Sequence, residues 1–409
     1  MHRSNPHDQL AAFAQPFNLA PNKSGTNKPG TDKPGTHGPT ALAFMTCIAA
    51  LLLSACTVGS GPSATVSSTA EPTANAQIDC SSAAGIKPAC GFRNPEDLVV
   101  LPGGDWLLVS EMGPFLQNSP NTLSLFDIAA NQRRALELRW LSEQPRWGDA
   151  NCPAPDPASF SPHGIDFLTL PDGTQQLLVV NHGQEAVEFF EVTQSANPGA
   201  PWVAQWRGCA QPGNDLFMND VAALNDGGFF VTHMWNRSTP FEEVAAKLLA
   251  GQDTGWVMEW QPTSGFRKVK NTDALMPNGI AVSADNRHVF INVYMANETL
   301  KLDRTSEQIT ARLSVRQPDN VTVDAETGEL WIASHRHDPI AERCEDDHAG
   351  PCLLPFQVIK ANPATMTGEV AFSHTGAPMG YATVALSHQG EVFLGSASGD
   401  RIARVPLAR

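Results

Sequence analysis

PNGIAVSADNRHVFINVY, residues 277–294, is one phrase of a chain that repeats itself. It opens on a polar turn, runs through alternating apolar residues, breaks at an Asp/Asn turn and ends in a β-rich run, which is the pattern of a hairpin. Five other stretches share that pattern: NPEDLVVLPGGDWLLVSE from Asn94, SPHGIDFLTLPDGTQQLLVVNH from Ser161, MNDVAALNDGGFFVTH from Met218, PDNVTVDAETGELWIASH from Pro318 and GYATVALSHQGEVFLGSAS from Gly380. Turns such as Pro102-Gly103-Gly104 and Glu326-Thr327-Gly328 separate the two strands of a copy. The copies start 67, 57, 59, 41 and 62 residues apart, which leaves room for two further short strands in each. Repeats of roughly 55 residues built from four strands are propeller blades. The spacing therefore predicts an all-β fold, a six-bladed β-propeller in a single domain. A pair of β-sandwiches would leave the six phrases unexplained. One amphipathic helix is expected, near Phe241–Leu249 in the third interval.

Composition agrees. The 409 residues are 42% hydrophobic and 17% charged, with 32 Gly and 32 Pro, which suits a large core with many turns and excludes a coiled coil. The net charge is -15; the first 55 residues carry +2, so everything after them sums to -17. Such a surface excludes a nucleic-acid partner, which needs a basic face, and suits cations or neutral substrates.

Residues 1–55 are expected to be a disordered leader followed by a lipoprotein-type signal. Residues 1–40 are rich in Pro, Gly, Asn and Lys, and the apolar run Ala41–Ala55 is shorter than the ~20 residues of a membrane span. The run closes Leu53-Ser54-Ala55-Cys56, which resembles the lipobox of bacterial lipoproteins. That resemblance implies cleavage before Cys56, a membrane anchor through lipid on Cys56, and a place on the periplasmic or outer side of a bacterial envelope. An ordinary signal peptide with a chance cysteine is the alternative. Residues 56–79 are then a flexible tether and 80–409 the propeller. The six remaining cysteines are an even number in an exported chain and favour disulfides. Cys80–Cys90 and Cys344–Cys352 close short loops, leaving Cys152–Cys209. The spacings are not those of a sulfur-bound zinc site.

In a propeller the innermost strands line the central channel and begin together at one mouth. There the copies place Glu96-Asp97, His163, Asn219-Asp220, Asn278, Asp319-Asn320 and Tyr381. Asn before Gly, as in Asn278-Gly279, is by itself a turn signal. Four copies that bring Glu, Asp or Asn to one channel read differently. Carboxylate and amide oxygens suit Ca²⁺, which takes six to eight of them, and crowded buried carboxylates call for a cation.

The runs SPHGI, LLVVNH and VEFFEV between Ser161 and Val192, with MNDVA, MPNGIAVS and PDNVTVDAETGELW, resemble the serum paraoxonase/arylesterase family of calcium-dependent lactonases. The likeness extends over about residues 92–405 and implies kinship with the broader gluconolactonase-like propellers. It implies two Ca²⁺ ions: a catalytic one on Glu96, Asn219, Asn278, Asp319 and Asn320, and a structural one on Asp97, Asp220 and the carbonyl of Ile165. Neighbours on a strand face opposite ways, so each pair could serve two ions. The resemblance also implies a catalytic dyad, His163 and His182, and a further active-site histidine, His335. The expected function is calcium-dependent hydrolysis of a small-molecule lactone or aryl ester, with water activated by His163 and His182 orienting it. Tyr381 and Phe229 would line the pocket, and Met234, Trp235 and Trp331 would make it apolar. The rivals are a non-enzymatic, ligand- or partner-binding propeller with structural calcium, and a sugar-lactone hydrolase. No G-x-S-x-G elbow, P-loop or Rossmann fingerprint is present. The polar insert HRHDPIAERCEDDHAGPC, 335–352, could form a lid; His335, His337 and His348 with Asp338, Asp346 and Asp347 could alternatively bind a surface metal.

Overall fold

The computed structural model describes residues 79–113, 121–140, 146–213, 215–339, 341–342, 344 and 350–407. The leader, Cys56, the tether and most of the insert's second half lie outside them. Six sheets, antiparallel apart from two added strands in the second, make the six blades of a propeller. Their innermost strands are Pro95–Val100, Pro162–Thr169, Phe217–Ala223, Pro277–Val282, Pro318–Val323 and Ala382–His388. Each coincides with the opening of one sequence phrase, and the strand it pairs with is that phrase's second half. The second blade carries two extra strands, Glu137–Arg139 and Trp147–Gly148, both parallel to its outer strand Trp202–Ala210. The helix Phe241–Leu249 lies where expected and buries Val244 and Leu248 in a cluster with Phe217, Met234 and Trp235.

The ring is closed by joining the two ends of the propeller. The last blade takes its outermost strand, Lys87–Cys90, from the start, paired antiparallel with Arg401–Pro406. Without that strand Arg401–Pro406 would be an open edge. Buried Arg401 reinforces the closure by donating to the carbonyls of Asp79 and Pro378. The disulfides are Cys80–Cys90, Cys152–Cys209 and Cys344–Cys352. They are those of an exported chain. No helix among the described residues is long and apolar enough to cross a membrane.

Each sheet is covered on both faces by its neighbours, which is why its inner strands read WLLVSE or FFVTHMW and not as strict alternation. Between the second and third blades Phe229 stacks on Trp260 at 5.3 Å and meets Phe189 edge-on at 5.9 Å. Phe229 is therefore core and does not line the channel mouth. Trp331 is core as well, packed with Phe356, Ala385 and Leu394 between the last two blades. Both residues expected in the pocket instead hold blades together, at roughly 1.5–3 kcal/mol for each fully buried large side chain.

Candidate active site

All six innermost strands break register near their first residues: between Pro95 and Asp97, Pro162 and Ile165, Met218 and Val221, Pro277 and Ile280, Pro318 and Val321, and Ala382 and Val384. A bulge leaves a residue unpaired and re-aims its side chain. Four of the breaks follow a residue of positive φ, Asn94 (46°), Met276 (60°), Gln317 (42°) and Tyr381 (51°). Three of those stand before proline, which has no N–H to give a ladder. The bulged stretches also touch. A Cβ on Gly164 would lie 2.5 Å from Cα of Asp220, and one on Gly279 would lie 2.5 Å from Cα of Asn320. Only glycine allows neighbouring inner strands so close, and closeness is what gathers the polar side chains at the mouth.

One group forms around Glu96. Asn320 Nδ2 donates to Glu96 Oε1 at 2.7 Å, and the same oxygen lies 3.7 Å from His163 Nε2. Asn219 Nδ2 lies 3.3 Å from that nitrogen. Asp319 Oδ2 stands 3.5 Å from His335 Nε2, and Asn278 bonds the Asp319 side chain. The backbone under these residues is pinned as well: Thr232 Oγ1 donates to the Asn278 carbonyl, Asn292 Nδ2 to that of Asp319 and Thr383 Oγ1 to that of Glu96. All five expected ligands of the catalytic ion are buried here.

Their oxygens are left without partners. Glu96 Oε2, Asn219 Oδ1, Asn278 Oδ1 and Asn320 Oδ1 are buried and accept no hydrogen bond. Each is an acceptor, none a donor, so what they lack is a cation or a hydrogen-bond donor. Burial, then Asp97, Asp319 and Asp220, raises the Glu96 carboxyl well above the ordinary range; burial lifts Asp319 to about 8. Among the described residues no three His, Cys, Asp or Glu side chains form a ready-made metal cluster. The set at the mouth is instead two carboxylates and three amides, and such a set fits a hard cation.

The second expected group is differently built. Asp97 accepts from the N–H of Ile165 and of Leu98, each at 2.8 Å; Asp220 accepts from Ile280 and Val221, each at 2.8 Å. These carboxylates tie the first blade to the second and the third to the fourth. What Ile165 gives Asp97 is its N–H. A third aspartate, Asp166, accepts from Ala223 N at 2.7 Å and acts on both others. Burial lifts Asp97 to about 7 and Asp166 to about 6.

Beside Glu96 the two histidines meet. His163 Nδ1 lies 2.7 Å from His182 Nε2, with the rings edge to face. Burial, and then His182, holds His163 well below the ordinary histidine range, so its ring is neutral near pH 7. His182 lies flat on Phe217, centroids 4.5 Å apart, and Phe217 in turn on Trp235 at 5.0 Å. An apolar wall thus runs from the dyad to the helix Phe241–Leu249.

A model of the arylesterase family matches residues 93–400. The chain belongs to that family. It is 24% identical over 320 residues to human serum paraoxonase/arylesterase 2, covering 74% of this chain and 82% of the relative. It is 27% identical over 253 residues to the rat protein of the same name, covering 59% of this chain and 66% of that one. Among solved structures, a gluconolactonase from Xanthomonas campestris aligns at a TM-score of 0.46 and 16% identity, covering 79% of this chain and 89% of that one.

In this arylesterase-family chain His335 is fully buried and both its nitrogens are engaged. Nδ1 meets the Tyr294 hydroxyl at 2.8 Å and Nε2 the Ala382 carbonyl at 3.1 Å, while Tyr381 stacks on the ring at 4.2 Å. Burial pushes its pKa down to about 3. Tyr381 therefore sits beside the site, as expected, and the chain's two tyrosines both lie against this histidine. Glu185, Arg237, Tyr294 and Asp166 had not been singled out. For Asp166 the cue was in plain view, immediately after Ile165. For Glu185 it was the short NHGQE run. Arg237, 52 residues from Glu185, offers no sequence cue.

Proposed function

We propose that the chain hydrolyses lactones and aryl esters in a calcium-dependent reaction at the mouth of the propeller channel. The observation that carries this reading is the set of four partnerless buried oxygens on Glu96, Asn219, Asn278 and Asn320 beside the neutral ring of His163. With Asp319 these residues would hold the catalytic ion, and Asp97 and Asp220, with Ile165 beside them, a second one. Calcium bound there would supply polarisation of the carbonyl and a counter-charge for the oxyanion that develops.

The chain's own groups do the rest. His163 Nε2 takes a proton from water as the new C–O bond forms, and returns it to the departing alkoxide or phenoxide. His182 holds the His163 ring from its other nitrogen. His335 stands beside Asp319, and its Nε2 meets the Ala382 carbonyl. Its own nitrogens are occupied, which suits a positioning role better than that of a base. The wall of Phe217 and Trp235 excludes water and suits an acyl or aryl group better than a sugar. A binding module would need no neutral imidazole beside a set of bare oxygens.

The test is proton release by the full chain on a panel of lactones and phenyl acetate, in Ca²⁺ and in chelator, with Asp319→Asn alongside. Activity that requires Ca²⁺ and falls about 10²–10³-fold in the variant is the expected result. Unchanged hydrolysis by the variant would remove the metal mechanism, and no turnover by the wild type in Ca²⁺ would remove the hydrolase reading.

A further inference from the structure

Three donors converge on the buried carboxylate of Glu185. Met218 N donates to Oε1 at 2.6 Å, Arg237 Nη1 to Oε2 at 2.6 Å, and His182 Nδ1 lies 3.1 Å from Oε2. The residue itself sits at φ 51°, a left-handed conformation that costs a glutamate backbone energy. A turn that holds a glutamate there delivers its side chain to one place.

The bonds can be read in order. The Met218 amide and the guanidinium only donate, so both oxygens of Glu185 accept. His182 Nδ1 must then carry a hydrogen. In a neutral ring that leaves His182 Nε2 bare, so the hydrogen in the 2.7 Å contact belongs to His163 Nδ1. His163 Nε2 is left with its lone pair, on the side of Glu96 and Asn219. The contact there agrees: what stands 3.3 Å from His163 Nε2 is the amide nitrogen of Asn219, a donor. Phe217, stacked on His182, keeps that ring from rotating away.

We propose that Glu185 is a positioning residue that sets the tautomers of His182 and His163 and so presents a bare Nε2 to the water. The inference rests on the hydrolase reading above for its consequence, and on hydrogen-bond geometry alone for the tautomers. Arg237 keeps the carboxylate aimed. The wider consequence is a base, His163, oriented by two successive groups, His182 and Glu185, with all three drawn from the second blade.

The experiment uses the full chain labelled with ¹⁵N-histidine. Long-range ¹⁵N–¹H spectra, assigned with His163→Gln and His182→Gln, report which nitrogen of each ring carries hydrogen. The wild type should show both rings protonated on Nδ1. In Glu185→Ala no acceptor faces His182 Nδ1. Both rings should then lose the fixed Nδ1–H and show Nε2–H as well, and kcat should fall about 10²-fold with KM little changed. A wild-type spectrum with His182 protonated on Nε2 overturns the inference, and does so even if the variant does not fold. So does a folded variant with unchanged spectrum and kcat. If His163→Gln keeps full activity, the assignment of His163 as the base fails separately while the spectra still judge Glu185.

Discussion

Withdrawal of calcium should cost this protein a large share of its stability, and the size can be worked from the channel mouth. Leaving a buried acceptor unsatisfied costs about 1–3 kcal/mol. Four such atoms gather there. At the low end of that range they cost the empty site about 4 kcal/mol. A cation that meets them would recover this much, which by mass action at 1 mM free Ca²⁺ corresponds to a Kd of about 1 µM. For a domain of this size the stabilisation would appear as a rise in Tm of about 6 °C. The assay is thermal unfolding of the full chain by circular dichroism in 1 mM CaCl₂ and in excess chelator. Mg²⁺ should substitute poorly, because it demands octahedral ligands and sheds water reluctantly. Asn278→Ala, which removes one of the four oxygens, should narrow the gap between the two conditions more than it lowers the chelated Tm. Coincident melting curves with and without Ca²⁺ would refute the reasoning, since the bare oxygens would then be tolerated for some other reason.

Two further outcomes follow from the packing. Gly279→Ala places a Cβ 2.5 Å from both the Asp319 carbonyl and Cα of Asn320, backbone atoms that cannot step aside. It should cost about 1–3 kcal/mol in urea unfolding and reduce the calcium-dependent rise in Tm; no change in either would mean the inner strands are not in contact there. Glu188 is buried and accepts from Asn181, Trp206 and Gln184, and burial lifts its carboxyl to about 7. The folded chain keeps that proton at pH values where the unfolded chain has released it, so stability falls as pH rises from about 4.5 through 7. The share owed to Glu188 is about 3 kcal/mol. Glu188→Gln should lack that share when urea stabilities at pH 4.5 and 7.5 are compared with wild type, and parallel pH profiles for the two proteins would disprove it.

The blades were legible because a hairpin is a local object. Each phrase carries its own turn and its own apolar runs, so six phrases predicted six inner strand pairs, and the third interval showed its helix. The short disulfide loops were legible for the same reason. Which side chains face the channel was less so. Phe229 and Trp331 are expected in the pocket and lie in the core between blades. In a propeller both faces of a blade are buried, so an aromatic residue near the mouth packs as readily against the next blade. The Glu185–Arg237 pair was invisible because it joins a turn of the second blade to a loop of the third, and nothing in either run announces the other.

Pleat alternation accounts for part of the ligand pattern and fails at its most informative point. Glu96 with Asp97, and Asn219 with Asp220, divide between two groups of contacts, as alternation requires. Asp319 and Asn320 do not. Asp319 meets His335 and Asn278, Asn320 bonds Glu96, and both belong to the same cluster. Adjacent residues of a regular strand cannot share a face. The register break between Pro318 and Val321 makes it possible, by taking this stretch out of the ladder. The breaks recur in all six blades, so they are a property of how the inner strands start: in five of the six a left-handed residue or a proline, then a stretch released from pairing. That irregularity costs ladder hydrogen bonds at the centre of the molecule, where a regular sheet would be more stable. In return it turns side chains from several blades towards one point and leaves their oxygens bare, which is what a cation site at the axis of a propeller demands.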